Sequence, residues 1–231
     1  TTVSGRRYYL TPDGGRVASV TSILDATKSE EKKQALAAWR QRVGEQQAQQ
    51  IVTEAAGRGT RMHKFLEQYV INGIMNAPGS NPYSQQGHGM AQKIVQEYLE
   101  PNVTEYYGSE VNLFYPELYA GTTDCVANWA GQLSILDFKQ TNKPKRREWI
   151  EDYMVQLAAY AEAHDRRHGT KMDQGVIMMM SQSGEPQEFI TAGREFDGYK
   201  AKWWRRVEEF QKKSRGLADP DSSAIEEGDI S

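Results

Sequence analysis

Residues 121–139 constrain the fold more than any other stretch of the chain. They read Gly-Thr-Thr-Asp, five residues ending at Trp129, then Ala130-Gly131, then a second run ending Leu-Asp-Phe-Lys. This is the pattern of two strands around a two-residue turn, and such a hairpin has a set register. With Trp129 paired to Gln132, Asp124 falls opposite Asp137 and Thr122 opposite Lys139. Opposed residues project to one face with Cβ atoms roughly 4.5–5.5 Å apart. Asp137 and Lys139 share that face, because strand side chains alternate. Two carboxylates and an ammonium then converge on one spot.

Like charges placed opposite each other destabilise a sheet, and a divalent cation between them removes that cost. Aspartate oxygens suit Mg²⁺ or Mn²⁺. A lysine beside such a cation is placed to bind an anionic group that the metal holds. Asp, Asp and Lys around a hard cation suit phosphodiester cleavage, where the metal activates water and neutralises developing charge. The plainer alternative is a surface hairpin with scattered charges. A three-residue turn would break the register and favour that alternative.

Along the hairpin, Val126, Leu133 and Ile135 are apolar on the carboxylate face. Cys125, Ala127, Leu136 and Phe138 line the other. A sheet covered on both faces predicts an α/β sandwich. A chain of 231 residues suits one domain that can bury a sizeable core. The net charge of −3 excludes a basic protein that coats DNA with its whole surface, so a nucleic-acid site must be a local patch. The single cysteine, Cys125, excludes an internal disulfide and a cysteine zinc cluster. No apolar run approaches the ~20 residues of a membrane span, so no membrane association is expected. No signal peptide is visible, which favours the cytoplasm of a bacterium or a phage-infected host. The chain starts at Thr1 rather than Met, consistent with a missing N-terminal portion.

The remaining elements follow from pattern. Residues 6–10 and 16–20 read as short strands around Pro12 and Gly14-Gly15. A helix is expected after Ser29, which would cap it, running through Trp39 and as far as residue 56. Gly57-Arg58-Gly59-Thr60 is expected to break it, with Thr60 capping a second helix from 61 to about 72. On that helix His63 and Glu67 are four apart and flank the apolar stripe of Met62, Phe65, Leu66, Tyr69 and Val70. A histidine there is either a hydrogen-bonded boundary residue or a metal ligand. A loop is expected over 74–86, a helix over 90–99 and a strand over 110–115. Residues 139–147 hold five basic residues in nine, a solvated loop or a phosphate-binding one. Trp149 and Tyr153 can stack on unpaired bases or serve as core. Helices are expected over 151–168 and 196–214, and a buried hairpin over 175–180 and 187–191. The acidic tail after Leu217 is expected to be disordered.

Four motifs occur in order: Gly-x-x-x-His-x-x-x-Glu at 59–67, Gly-x-x-Asp at 121–124, Asp-x-Lys at 137–139 and Gln-x-x-x-Tyr at 156–160. The set resembles the RecB-like branch of the PD-(D/E)XK nucleases, and within it the mitochondrial genome-maintenance exonucleases and related phage exonucleases. Val20-Thr21-Ser22-Ile23-Leu24 and Lys143-Pro144-Lys145 add to the likeness, which spans about residues 18 to 165. The resemblance implies a restriction-endonuclease-like core, a central mixed β-sheet flanked by helices. It implies one nuclease domain over 1–217, with its core at about 57–192 and helical elaborations at about 29–56 and 195–215. It implies a Mg²⁺- or Mn²⁺-dependent DNA exonuclease acting on single-stranded DNA or free ends, with replication or recombination proteins as partners. By motif, His63, Asp124, Asp137 and the carbonyl of Phe138 would bind metal. Lys139 would position or activate water, Glu67 would join the catalytic set, and Glu110 would be an acidic neighbour. Gln156 and Tyr160 would contact DNA or the active-site loop, and Thr141, Lys143, Lys145, Arg146, Arg147 and Trp149 would extend the DNA surface. The family often has Thr directly after the lysine, where this chain has Gln140. A structure-specific or restriction-type endonuclease on the same fold and a non-catalytic DNA-binding module are the alternatives.

Overall fold

The computed structural model describes residues 2–3, 6–12 and 14–216. The expectation for the tail over 218–231 lies outside them. Within the described residues, eight strands form one mixed sheet. Strand β1 (Thr2–Val3) pairs with β2 (Arg6–Leu10), and β2 with β3 (Arg16–Ser19), all antiparallel. Ser19 then caps α1 (Val20–Ala26), its hydroxyl accepting from the Ser22 amide. Strand β4 (Val103–Tyr115) runs antiparallel along β5 (Tyr119–Trp129). Strand β6 (Gln132–Thr141) returns from β5 through Ala130 and Gly131, both in the left-handed region at φ 50° and 86°. A two-residue hairpin turn needs that conformation.

The other edge of β5 is shared. Strand β3 pairs in parallel with Tyr119 and Ala120, while β6 pairs antiparallel from Cys125 to Trp129. Residues 121–124 lie between these two ladders, and the polar cleft opens there. After β6 the chain crosses over through α6 (Glu151–His168) to β7 (Gln174–Ser181), which is parallel to β6. Strand β8 (Pro186–Ala192) pairs antiparallel with β7, and α7 (Gly193–Gly216) follows.

Both faces of the sheet are covered, as the apolar pattern of the hairpin predicts. One face carries Val126, Ile135 and Ile177 against α1, α6 and α7, with Leu157, Phe196 and Trp203 fully buried. The other carries Cys125, Leu136 and Phe138 against Met62 and Leu66 of α3 (Glu45–Asn72) and Met90 and Ile94 of α4 (Pro82–Ile94). The helix α2 (Glu30–Val43) is capped by Ser29 as expected and buries no residue.

Several sequence expectations need correction. The first long helix ends at Gly44, at φ 87°. Residues 57–60 do not break a helix, because α3 runs through them. Tertiary packing offsets the helical cost of two glycines. At Gly59 the helix lies against β6, since a Cβ there would come 3.8 Å from that of Gln140. The Thr60 hydroxyl donates to the Ala56 carbonyl within the same helix instead of capping a new one. The loop expected over 74–86 is shorter, since Asn81 caps α4 through Oδ1 and Pro82 occupies its first turn. From Val95 to Leu99 the helix widens into a π turn, followed by a last turn, α5 (Glu100–Asn102). The strand expected over 110–115 begins earlier, at Val103.

Candidate metal and phosphodiester site

The hairpin register is as expected from Trp129–Gln132 to Cys125–Leu136, and the ladder ends there. Asp124 and Asp137 are therefore not paired through their backbones. Instead Oδ2 of Asp124 accepts the Phe138 amide at 2.6 Å. The side chain takes the place of a ladder carbonyl, and the two strand ends part around it. Gly121 lets α6 approach the sheet closely behind this opening, because a Cβ there would lie 2.6 Å from Cε1 of Tyr160.

His63, from α3, reaches Asp124 with Nδ1 3.3 Å from Oδ1. Its ring stands edge-on to Phe138, at 6.1 Å between centroids. The third member of the cluster is Glu110. Strand β4 pairs Ser109 with Cys125 and Val111 with Thr123, so Glu110 lies across from Asp124. Its φ is 49°, a region that non-glycine residues rarely adopt and that recurs at functional sites. His63, Glu110 and Asp124 each offer a ligand atom within 4.8 Å of the others. One imidazole nitrogen and two carboxylates fit a divalent cation by donor chemistry.

Asp137 and Lys139 form the other half. Asp137 is buried, and its Oδ2 meets the Lys139 ammonium with no further hydrogen-bond donor aligned on it. Burial pushes the Asp137 carboxyl up to about 6, Asp124 adds to that, and the Lys139 charge opposes it. Burial works against the Lys139 ammonium, but Asp137 and Asp124 outweigh it and raise its pKa. Asp124 is likewise opposed by burial and held low chiefly by His63. His63 is raised on balance, with Asp124 outweighing burial. Burial and the nearby Asp124 charge raise Glu110. A site that works against the charge of two of its own carboxylates, Asp137 and Glu110, is one that an added cation would stabilise.

Glu67 lies outside the three-residue cluster, though its charge reaches Glu110. Gln156 and Tyr160 are both buried, with Nε2 of Gln156 donating to the Tyr160 hydroxyl at 2.9 Å. Tyr160 sits behind the Asp137–Lys139 pair, while Gln156 also lines a groove of about 310 Å³ with Trp149, Tyr153, Thr21 and Leu24. Lys139 lies over the Tyr153 ring at 5.1 Å, which joins this groove to the cluster. Trp149 is 59% exposed, with the Arg146 guanidinium over its ring. Lys143 and Arg146 are exposed, and Lys145 is half-buried with its amide donating to Oε1 of Gln187. Thr141 is buried and donates to the Lys143 carbonyl, shaping the loop from within. Arg147 is tied to Glu195 and to the Ile190 carbonyl, so much of its hydrogen-bonding capacity anchors the loop to α7. Sequence reasoning placed Glu110 only as a neighbour. The signal that promotes it is its φ, which no residue pattern records.

No family model matches the chain. Mitochondrial genome maintenance exonuclease 1 of Mus musculus is 29% identical over 216 residues, covering 89% of this chain and 62% of its own length. That of Xenopus tropicalis is 31% identical over 214 residues, covering 86% of this chain and 58% of its own. The chain is a homologue of these exonucleases. It spans about three fifths of the length of the curated relatives it matches. A crystal structure from Eubacterium rectale, described as that of a candidate exonuclease, covers 75% of this chain and 77% of its own, at 16% identity and a TM-score of 0.48. The homology to the genome-maintenance exonucleases agrees with the four-motif resemblance.

Proposed function

We propose that this chain is one divalent-metal-dependent nuclease domain, a DNA exonuclease that hydrolyses phosphodiester bonds from free ends of single-stranded DNA or flaps. The observation that carries the reading is the meeting of His63, Glu110 and Asp124 with the Asp137–Lys139 pair in one cleft, from four separate parts of the chain. His63, Glu110 and Asp124 would hold Mg²⁺ or Mn²⁺, with Asp137 and the Phe138 carbonyl as further ligands. The imidazole makes Mn²⁺ as suitable as Mg²⁺. When bound, the cation supplies Lewis acidity to the phosphate and to water.

The chain's own residues supply the rest. Lys139, held protonated by two aspartates, binds and stabilises a phosphate oxygen and does not accept a proton. Asp137 orients that ammonium. Tyr160 and Gln156 brace the pair from behind, and Gln156 faces the groove. Trp149 and Tyr153 offer ring faces to unpaired bases, a sequence-tolerant contact that favours single strands. Lys143, Lys145 and Arg146 extend positive charge along the strand's path. Glu67 acts on the cluster through Glu110.

The names of the relatives favour exonuclease over endonuclease action. No helix among the described residues is long and apolar enough to cross a membrane. A cytoplasmic place beside replication or recombination proteins accompanies the proposal. The decisive experiment is digestion of end-labelled single strands with Mg²⁺ or Mn²⁺, using 5′-blocked, 3′-blocked and circular substrates. Wild type should degrade linear strands and spare circles, while Asp124→Ala and Lys139→Ala should be inactive. Cleavage of circles would convert the assignment to an endonuclease. Cutting by Asp124→Ala as fast as by wild type would defeat the reading.

A further inference from the structure

Arg58 lies on α3 about 1.4 turns before His63, and it is only 5% exposed. Buried guanidinium groups are ordinarily paired with a carboxylate. Among the described residues Arg58 forms no such pair. One of its terminal nitrogens, Nη2, donates to Oδ1 of Asn142, a neutral acceptor, and its Nε is buried without a partner. Burial works against its charge, Glu54 favours it, and Arg61 opposes it. The side chain therefore holds a positive charge that the folded protein leaves without a close counter-ion.

Its position matters as much as its charge. Asn142 is the first residue past β6, three after Lys139, and it is exposed. At Gly59, next in sequence to Arg58, α3 packs on Gln140. The guanidinium thus sits at the end of β6, behind an amide that solvent can reach and at the start of the loop that carries Lys143, Lys145 and Arg146.

We propose that Arg58 is a phosphate-binding residue, whose guanidinium takes a phosphate oxygen of the substrate strand in place of Asn142 Oδ1. The inference rests on the nuclease reading and deepens it. An anionic oxygen is a stronger acceptor for guanidinium than an amide oxygen, and it provides the missing counter-charge. Asn142 then serves as the resting partner that the strand displaces.

Binding of a short single-stranded oligonucleotide in EDTA, followed by anisotropy between about 50 and 200 mM salt, tests this without cleavage. Each single-strand phosphate contact contributes roughly 0.7 to the slope of log affinity against log salt. Arg58→Met should lower that slope by about 0.7, and Arg58→Lys should keep it. Asn142→Ala should bind at least as tightly as wild type, because it frees the guanidinium. Equal losses in Arg58→Met with 5′-phosphate and 5′-hydroxyl strands would identify an internal phosphodiester, and a loss confined to the former a terminal phosphate. If Arg58 merely braces the loop, Asn142→Ala will weaken binding as much as Arg58→Met, and the proposal is overturned. An unchanged slope in folded Arg58→Met overturns it as well. Thermal melts verify folding, and should Arg58→Met not fold, the comparison of Arg58→Lys with Asn142→Ala decides. A wild-type chain that cleaves no linear strand with Mg²⁺ or Mn²⁺ refutes the nuclease reading itself, whereas an active wild type with either adverse variant result refutes only the role of Arg58.

Discussion

Replacing Gly121 with alanine tests the packing of α6 behind the cleft. The new Cβ would lie 2.6 Å from Cε1 and 3.4 Å from Cζ of Tyr160, and 3.3 Å from Cγ2 of Val20. Tyr160 is 3% exposed and hydrogen-bonded to Gln156, so its ring cannot swing aside freely. Overpacking of this kind costs about 1–3 kcal/mol. Gly121 is not in the left-handed region, so alanine also recovers about 0.4–1 kcal/mol from the unfolded chain. Taken at the middle of both ranges, the net loss is roughly 1.3 kcal/mol, a fall in Tm of about 3–5 °C for a domain of this size. Activity should fall with it, because Tyr160 backs the Asp137–Lys139 pair. Circular-dichroism melts of Gly121→Ala, Tyr160→Ala and the double variant give the coupling. The double variant should lose less than the sum of the singles, since removing the ring removes the clash. Gly89→Ala is the control: that glycine is exposed inside α4 with nothing within 4 Å of its would-be Cβ, and the change should stabilise by about 0.5–1 kcal/mol. A Gly121→Ala protein as stable as wild type, or strictly additive losses, would refute the argument.

Other outcomes follow from the same geometry. Trp149→Ala should leave the Tm nearly unchanged, since the ring is 59% exposed. It should nonetheless weaken single-strand affinity by about 1–3 kcal/mol, measurable by anisotropy, if the ring stacks on a base. Mn²⁺ should raise the Tm of wild type, by an amount equivalent to about 2.7 kcal/mol at a hundredfold excess over Kd, and should not raise that of Asp124→Asn. His63 is held above its ordinary pKa, with Asp124 outweighing burial. Its contribution to the metal-free protein is full below about 6.5 and is lost as pH rises through the folded value. Denaturant titrations should therefore show wild type losing stability above neutral relative to His63→Gln, and parallel curves would count against the His63–Asp124 contact.

Local chemistry reached far in this chain. The period-two pattern from 121 to 139, with a turn-forming pair at its centre, determined a hairpin, its register and two apolar faces. Ser29, the run over 151–168 and the Met-rich strand were equally legible, because caps, helical stripes and buried runs are properties of neighbouring residues. The order of the four motifs carried the nuclease assignment. Tertiary structure decided what depends on groups distant in sequence. Gly57 and Gly59 read as helix breakers because intrinsic propensity is counted one residue at a time, yet α3 runs on through both and lies against Gln140 of β6 at Gly59. The Asp124–Asp137 pairing is absent because the Asp124 carboxylate captures the Phe138 amide, a contact that becomes available only once β3 and β6 divide the edge of β5. Glu110 enters the cluster through a backbone dihedral, and Arg58 is buried beside Asn142 across 84 residues of chain. Charge, burial and reach at a site are sums over the whole fold, so the residue types were written in the sequence while their meeting was not.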